Sequence, residues 1–296
     1  MLEKKTIDWL KLALIPEIGP LRFKKLRERF SGPAEILKAS ERDIRSILGS
    51  RLAQIITEGR SNLDIDKQLE LIDKYKVRLV TLDDASYPKY LKNIFDPPLV
   101  LFTRGKGLTC NEAAVAIVGT RLATAYGLET AGKLSAELAN KGFTVVSGGA
   151  RGIDTAAHRA AVEIGARTVA VLGCAVDVVY PSENAELFQR IVENKGTLIS
   201  EFPMGTKPLR QNFPRRNRIV SGLSLGVVVV QAPKRSGALI TASCALEQGR
   251  EVFCVPGEVN SFNMKGSHQL LKEGAKLVES VNDIIEEIEN SIAAPA

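Results

Sequence analysis

The chain has 296 residues, room for two domains at about 150 residues each, and its 45% hydrophobic and 25% charged residues are ordinary globular usage. Forty Lys and Arg against 34 Asp and Glu leave a formal charge of +6, which suits a polyanionic partner without establishing one. No apolar run approaches the roughly 20 residues that span a bilayer. The start, MLEKKTIDWLKLALIPEIG, lacks a signal-peptide cleavage site. Cys110, Cys174, Cys244 and Cys254 are dispersed with only His158 and His268 beside them, which argues against a zinc site or a disulfide scaffold. A cytoplasmic protein without metal, cofactor or membrane partner is expected.

The first 61 residues read as a small all-helical domain. Trp9, Leu10, Leu12, Ala13 and Leu14 precede IPEIGP, after which Leu21, Phe23, Leu26 and Phe30 recur at helical spacing. Further helices are predicted at 41–48 and 52–58. Residues 62–108 are expected to be a connector, with a helix and a short strand in LDIDKQLELIDKYKVRLVTLDD and then the proline-rich YPKYLKNIFDPPLVLFTRG. From 109 to 285 the pattern alternates. Apolar β-rich runs at 114–119, 143–147, 167–172, 197–200, 225–231 and 251–256 are separated mostly by helix-period segments. This predicts an α/β fold with a mostly parallel, doubly wound, Rossmann-like sheet covered by helices. Residues 286–296, ending NSIAAPA, are expected to be a disordered tail.

In such a sheet the ligand crevice lies beyond the carboxyl ends of the strands. The first end reads IVGTR and carries Arg121. The second continues as SGGARGIDTAAH, where Ser147, Gly148, Gly149, Ala150, Arg151 and Gly152 form a turn into a helix. Glycines admit close backbone approach, and the N–H groups of a helix start favour an anion; a ligand-free turn is the alternative. Ser147 replaces the first glycine of G-x-G-x-x-G, and neither Gly105-Lys106 nor Gly132-Lys133 is followed by Ser or Thr, so both nucleotide-loop readings are weak.

Asp177, on the third end, reads as a turn former or the partner of a nearby Arg rather than a catalytic acid, and His158 as a packing or hydrogen-bonding residue rather than a base. The fourth end places Lys207, Arg210, Arg215, Arg216 and Arg218 within twelve residues with no acid among them, Asn217 in their midst and Phe202 and Phe213 nearby. Cations neutralise backbone phosphates, and an aromatic ring stacks a base for roughly 1–3 kcal/mol. The alternatives are a solvated charged face for the cations and a core role for Phe213. The fifth end sets Lys234 and Arg235 before Ser236-Gly237 and another helix start, a second place for a phosphate. With no nucleophile–base signature present, a binder fits better than an enzyme.

Together, YPKYLKNIFDPPLVLFTRG, IVGTR, SGGARGIDTAAH, TVAVLGCAVDVVYP, LISEFP, FPRRNRIVSGLS, SGALITA and GREVFCVPG resemble the bacterial DNA-processing protein A, or Smf, family over about residues 87–278. The resemblance implies an extended Rossmann-like fold that binds single-stranded DNA, protects incoming DNA during natural transformation and loads the RecA recombinase, usually as a homodimer. It implies that Arg121, the turn from Ser147 to Arg151, and Arg215, Arg216 and Arg218 line the DNA pocket, together with Lys207. IPEIGPLRFKKLRERF resembles a helix-hairpin-helix or sterile-alpha-motif-like module; elsewhere such modules grip DNA backbone through turn amides, here those of Ile18-Gly19, and a structural or partner-binding role is the alternative. Cys174-Ala175, Gln231 and His268 depart from the family pattern, and the sequence ends near Ala296 without the winged-helix domain that many members append, so a function of that domain is either absent here or was cut off with it.

The rival reading is a nucleotide or phosphoribosyl hydrolase of the lysine-decarboxylase-like Rossmann group. Only Gly237, Thr241 and Glu247 echo that group's P-G-G-x-G-T-x-x-E signature. A dinucleotide-dependent redox enzyme has less support still.

Overall fold

The computed structural model describes residues 2–15, 17–61 and 63–293. Helices α1 (Lys4–Leu14), α2 (Pro20–Arg27), α3 (Pro33–Lys38), α4 (Glu41–Leu48), α5 (Ser50–Ser61) and α6 (Ile65–Lys74) open the chain. Local chemistry sets their starts. Pro20 begins α2, Ser40 Oγ accepts the Asp43 amide at the head of α4, and the Asp64 carboxylate accepts the Lys67 amide at the head of α6. Trp9, Leu10 and Leu12 turn one face of α1 inward, and the Trp9 and Phe23 rings pack 4.9 Å apart.

The rest of the chain runs β1 (Arg78–Thr81), α7 (Lys89–Lys92), β2 (Val100–Gly105), β3 (Ala114–Val118), α8 (Ala125–Asn140), β4 (Thr144–Ser147), α9 (Ile153–Glu163) and β5 (Thr168–Val171). Then come α10 (Ala185–Glu193), β6 (Thr197–Ser200), α11 (Asn212–Gly222), β7 (Gly226–Val229), α12 (Gly237–Glu247), β8 (Glu251–Cys254), α13 (Lys265–Lys272), β9 (Lys276–Leu277) and α14 (Val281–Ala293). Among the described residues the strands form one sheet in the order β1-β2-β6-β5-β4-β3-β7-β8-β9. β1–β2 and β2–β6 are antiparallel, and every other pair is parallel.

Both faces are covered. Val115, Ile117 and Val145 meet Leu134 and Leu138 of α8, Ala157 and Ala161 of α9, and Ile284 and Ile288 of α14. Ala116, Val118 and Val146 meet Ile219 and Val220 of α11 and Ala238 and Ala242 of α12. Two-sided burial explains why these strands read as continuous apolar runs. The α/β doubly wound sheet and its helical N-terminal region are therefore as expected.

Three segments differ from expectation. Residues 62–108 are more than a connector, because β1 and β2 extend the sheet by antiparallel pairing onto β6. Pro97 and Pro98 precede β2 and take no place in its ladder, so nothing bars Val100–Gly105 from pairing. The helical region is not set apart from the sheet either: Trp9, Leu26 and Ile36 share one buried cluster with Phe102, Leu172 and Leu198. The expected disordered tail is helical as far as Ala293, and residues 294–296 lie outside the described residues. Val281, Ile284 and Ile288 follow helical spacing and are 4%, 0% and 2% exposed. Burying each such side chain is worth about 1.5–3 kcal/mol, enough to fix the helix on the sheet.

Candidate nucleic-acid interface

From β3 the chain winds through β4, β5 and β6 to one side, then crosses back to β7 and β8 on the other. The loops after β3 and β7 diverge there and leave a crevice at the carboxyl edge. A cleft of about 690 Å³ occupies it, lined after β3 by Thr120 and Arg121, after β4 by Gly148, Ala150 and Asp154, by Arg210 just before α11 and Phe213 and Arg216 within it, and from the β7 loop by Arg235 and Ser236. Four arginines thus meet one carboxylate in the lining.

Arg216 is the seat of this arrangement. It is 5% exposed and donates from Nη1 to the Val171 carbonyl at 2.5 Å, while its Nε meets no acceptor. Only a glycine leaves room for it: a Cβ on Gly148 would stand 1.9 Å from Nη1. Burial lowers the Arg216 pKa, and the neighbouring Asp154 charge opposes that shift. Asp154 is itself 5% exposed, and its carboxylate accepts the amides of Gly148 at 3.1 Å and Ala150 at 3.2 Å. Burial raises the Asp154 pKa while Arg216 pulls it down. Asp154 therefore braces the turn and occupies two of the amides that the sequence offered to an anion. The amides of Gly149, Arg151 and Gly152 meet no acceptor among the described residues.

The turn is held rigidly. Ser147 Oγ donates to the Ile117 carbonyl at 2.6 Å, and Asn184 Nδ2 donates to the Gly149 carbonyl at 3.0 Å. Gly152 has φ +75°, and a Cβ there would stand 2.4 Å from the Thr120 carbonyl oxygen, so the β3 and β4 loops touch through it.

Phe213 forms an aromatic wall of the cleft. The Arg121 guanidinium lies 5.4 Å from its ring centroid, and the Tyr180 ring 5.5 Å away at 50°. Phe213 is half-buried, and Gly173 gives it room, since a Cβ there would come within 2.7 Å of Cδ1. Phe213 is thus packed on one side and open to the cleft on the other. Next to that glycine, burial pushes the Cys174 thiol up to about 11, which leaves it protonated and inert at neutral pH.

The other expected site residues divide. Arg121 is exposed and forms no ion pair among the described residues, and the same holds for Lys207 and Lys234, which lie outside the cleft lining. Arg151 is held by Glu183, with Nε and Nη2 at 2.9 and 2.6 Å from one oxygen. Arg215 leans over the Phe202 ring at 5.5 Å and pairs with Glu201. Arg218 is buried behind the cleft between Asp96 and Glu201, each at 2.8 Å. Asn217 Nδ2 donates to the Gly237 carbonyl at 3.1 Å and ties α11 to α12, while Ser236 Oγ caps α12 by accepting the Ala238 amide. Arg215 and Arg218 are thus not brought into the cleft, whereas Arg210 and Arg235, noted in the sequence as basic but not selected as site residues, are.

Asp177 accepts the Gly205 amide, a turn contact. His158 is fully buried with Nδ1 2.7 Å from Thr168 Oγ1, and burial, reinforced by the Arg216 charge, pushes it down to about 3. Glu247 sits at the far end of α12, outside the cleft lining. In the N-terminal hairpin, the amides of Ile18 and Gly19 donate to Ile15 and Glu17 carbonyls, so they are already engaged. No helix among the described residues is long and apolar enough to cross a membrane, and no group of three or more His, Cys, Asp or Glu among them is arranged to hold a metal ion.

The family model for DNA recombination-mediator protein A matches residues 78–289. Protein Smf of Escherichia coli is 43% identical over 226 residues, covering 76% of this chain and 60% of that protein. The DNA processing protein DprA of Streptococcus pneumoniae is 40% identical over 250 residues, 83% of this chain and 86% of that one. The crystal structure of DprA from that organism superposes with a TM-score of 0.83 at 36% identity, covering 97% of this chain and 99% of that chain. DNA processing protein A of Helicobacter pylori, described for its single-stranded DNA binding mode, superposes with a TM-score of 0.62 at 29% identity over 72% of this chain and 97% of its own. With the switch-point cleft, the nine-stranded sheet and these matches in agreement, the chain belongs to the DNA-processing protein A (Smf) family.

Proposed function

We propose that this chain binds single-stranded DNA non-enzymatically by holding the backbone in the switch-point cleft. The observation that carries this is the lining itself: Arg121, Arg210, Arg216 and Arg235 against the single carboxylate of Asp154, which is already committed to two amides. Phosphates neutralise the cations, and the exposed part of Phe213 offers a ring to a base. Lys207 and Lys234, exposed and without ion pairs among the described residues, stand outside the lining and steer the strand at longer range. The Helicobacter pylori relative, described for its single-stranded DNA binding mode, supports the same ligand class. A cleft that grips the backbone leaves bases accessible, which suits protection of incoming DNA in natural transformation and its transfer to RecA, with the protein acting in the cytoplasm as a homodimer. The hydrolase alternative lacks a free carboxylate in the lining, and its Glu247 echo lies away from it. A gel shift comparing single- and double-stranded oligonucleotides tests the proposal: preferential retention of the single strand is expected, and equal or absent retention refutes it.

A further inference from the structure

We propose that the apolar patch of Leu122, Tyr126, Val259 and Phe262 is a stacking platform for the bases of the strand as it leaves the cleft; this rests on the cleft being the strand's site. Leu122 is 82% exposed, Val259 and Phe262 are 75% exposed, and Tyr126 is 49% exposed. They come from the segments that follow β3 and β8, and hydrogen bonds join those segments. Asn263 Nδ2 donates to the Leu122 carbonyl at 3.0 Å, and the Tyr126 hydroxyl donates to the Pro256 carbonyl at 3.0 Å. Lys265 Nζ braces the β8 loop from beneath by donating to the Val259 carbonyl at 2.8 Å. Large apolar groups held together in water mark a surface built to be covered.

Two observations select a nucleic-acid strand as the occupant. Leu122 lines the cleft and directly follows Arg121, so the patch begins where the cationic wall ends. β7 lies between β3 and β8, and its loop presents Lys234 and Arg235, exposed and without ion pairs among the described residues. A backbone running over those cations passes beside the patch, where the rings of Tyr126 and Phe262 and the side chains of Leu122 and Val259 offer apolar contact to bases. Glu258, next to Val259, is exposed and repels phosphate, which turns bases rather than backbone toward this surface.

Phe262→Trp places a reporter on the patch, the chain's one other tryptophan being the fully buried Trp9. Saturation with a dT oligomer of about 20 nucleotides quenches the new emission if bases stack there; unchanged emission overturns the proposal. The Phe262→Ala, Val259→Ser variant binds that oligomer roughly 5- to 150-fold more weakly, the ratio one stacked base supplies, with an unaltered salt slope. It binds an oligomer of about four nucleotides, long enough only for the cleft, as the parent does. Parental affinity for the long oligomer, or a changed oligomeric state with DNA binding intact, overturns the proposal. Arg121→Glu distinguishes the two readings: it weakens both oligomers if the cleft is the site, and if it weakens neither, the cleft reading fails and this one with it.

Discussion

At Gly148 a single methyl group separates the charge of the cleft from its fold. In Gly148→Ala the new Cβ would stand 1.9 Å from Arg216 Nη1 and 2.4 Å from Cζ, so the guanidinium must leave its seat. Gly148 is not among the glycines with positive φ, so alanine adds no backbone strain and the effect runs through Arg216. Departure breaks the 2.5 Å bond to the Val171 carbonyl, a charge-assisted bond worth about 1.5–3 kcal/mol. It also deprives buried Asp154 of the cation that offsets its desolvation. A stability loss of about 2–4 kcal/mol is expected by urea unfolding. Fluorescence anisotropy with labelled dT over a salt series should show weaker binding and a slope shallower by about 0.7, one phosphate contact on a single strand. A folded variant with parental affinity and slope would refute the role of Arg216 in binding, and parental stability would refute its seating against Gly148.

Other perturbations probe separate parts of the molecule. Phe213→Ala should cost about 1–3 kcal/mol of binding to dT with an unchanged salt slope, because a ring is lost and no cation is; a changed slope would point to displacement of Arg121. Glu201→Gln removes the charge between Arg215 and buried Arg218, and a destabilisation of about 3–5 kcal/mol is expected from thermal or urea unfolding, with Asp96 limiting the loss. His158 is held near 3 when folded, so the unfolded chain takes up the proton below its ordinary 6.5 and stability falls as pH drops from there toward 3. At pH 5 the loss is about 2 kcal/mol, and His158→Gln should flatten that part of the urea-midpoint profile.

The sheet was largely legible in the sequence because its central strands are buried on both faces. The six apolar runs from 114–119 to 251–256 correspond to β3 through β8 within two residues at either end. β2 escaped notice because Pro97 and Pro98 suggested irregular chain, although both stand before the strand. β9 escaped because two exposed residues, Lys276 and Leu277, carry no periodicity. At the site, Arg121 and the glycine turn were legible because topology fixes strand ends on one rim. The fates of Arg215 and Arg218 were not: Asp96 lies 122 residues from Arg218 in the chain, and only the folded structure brings it there. The local charge run also hid Glu201, which lies just outside it and turns two of its arginines away from the cleft. Arg210 and Arg235 reach the cleft through the chain's path at the start of α11 and after β7, which composition does not encode.

The salt dependence of binding to oligo-dT, measured for the parent and for Arg121→Gln, Arg210→Gln and Arg235→Gln, tests the central claim most directly. Four cleft arginines predict a log–log slope of about −2 to −3 for the parent, with each substitution making it shallower by about 0.7. A slope that all three substitutions leave unchanged, with affinity retained, would contradict a cleft that holds the strand by its phosphates.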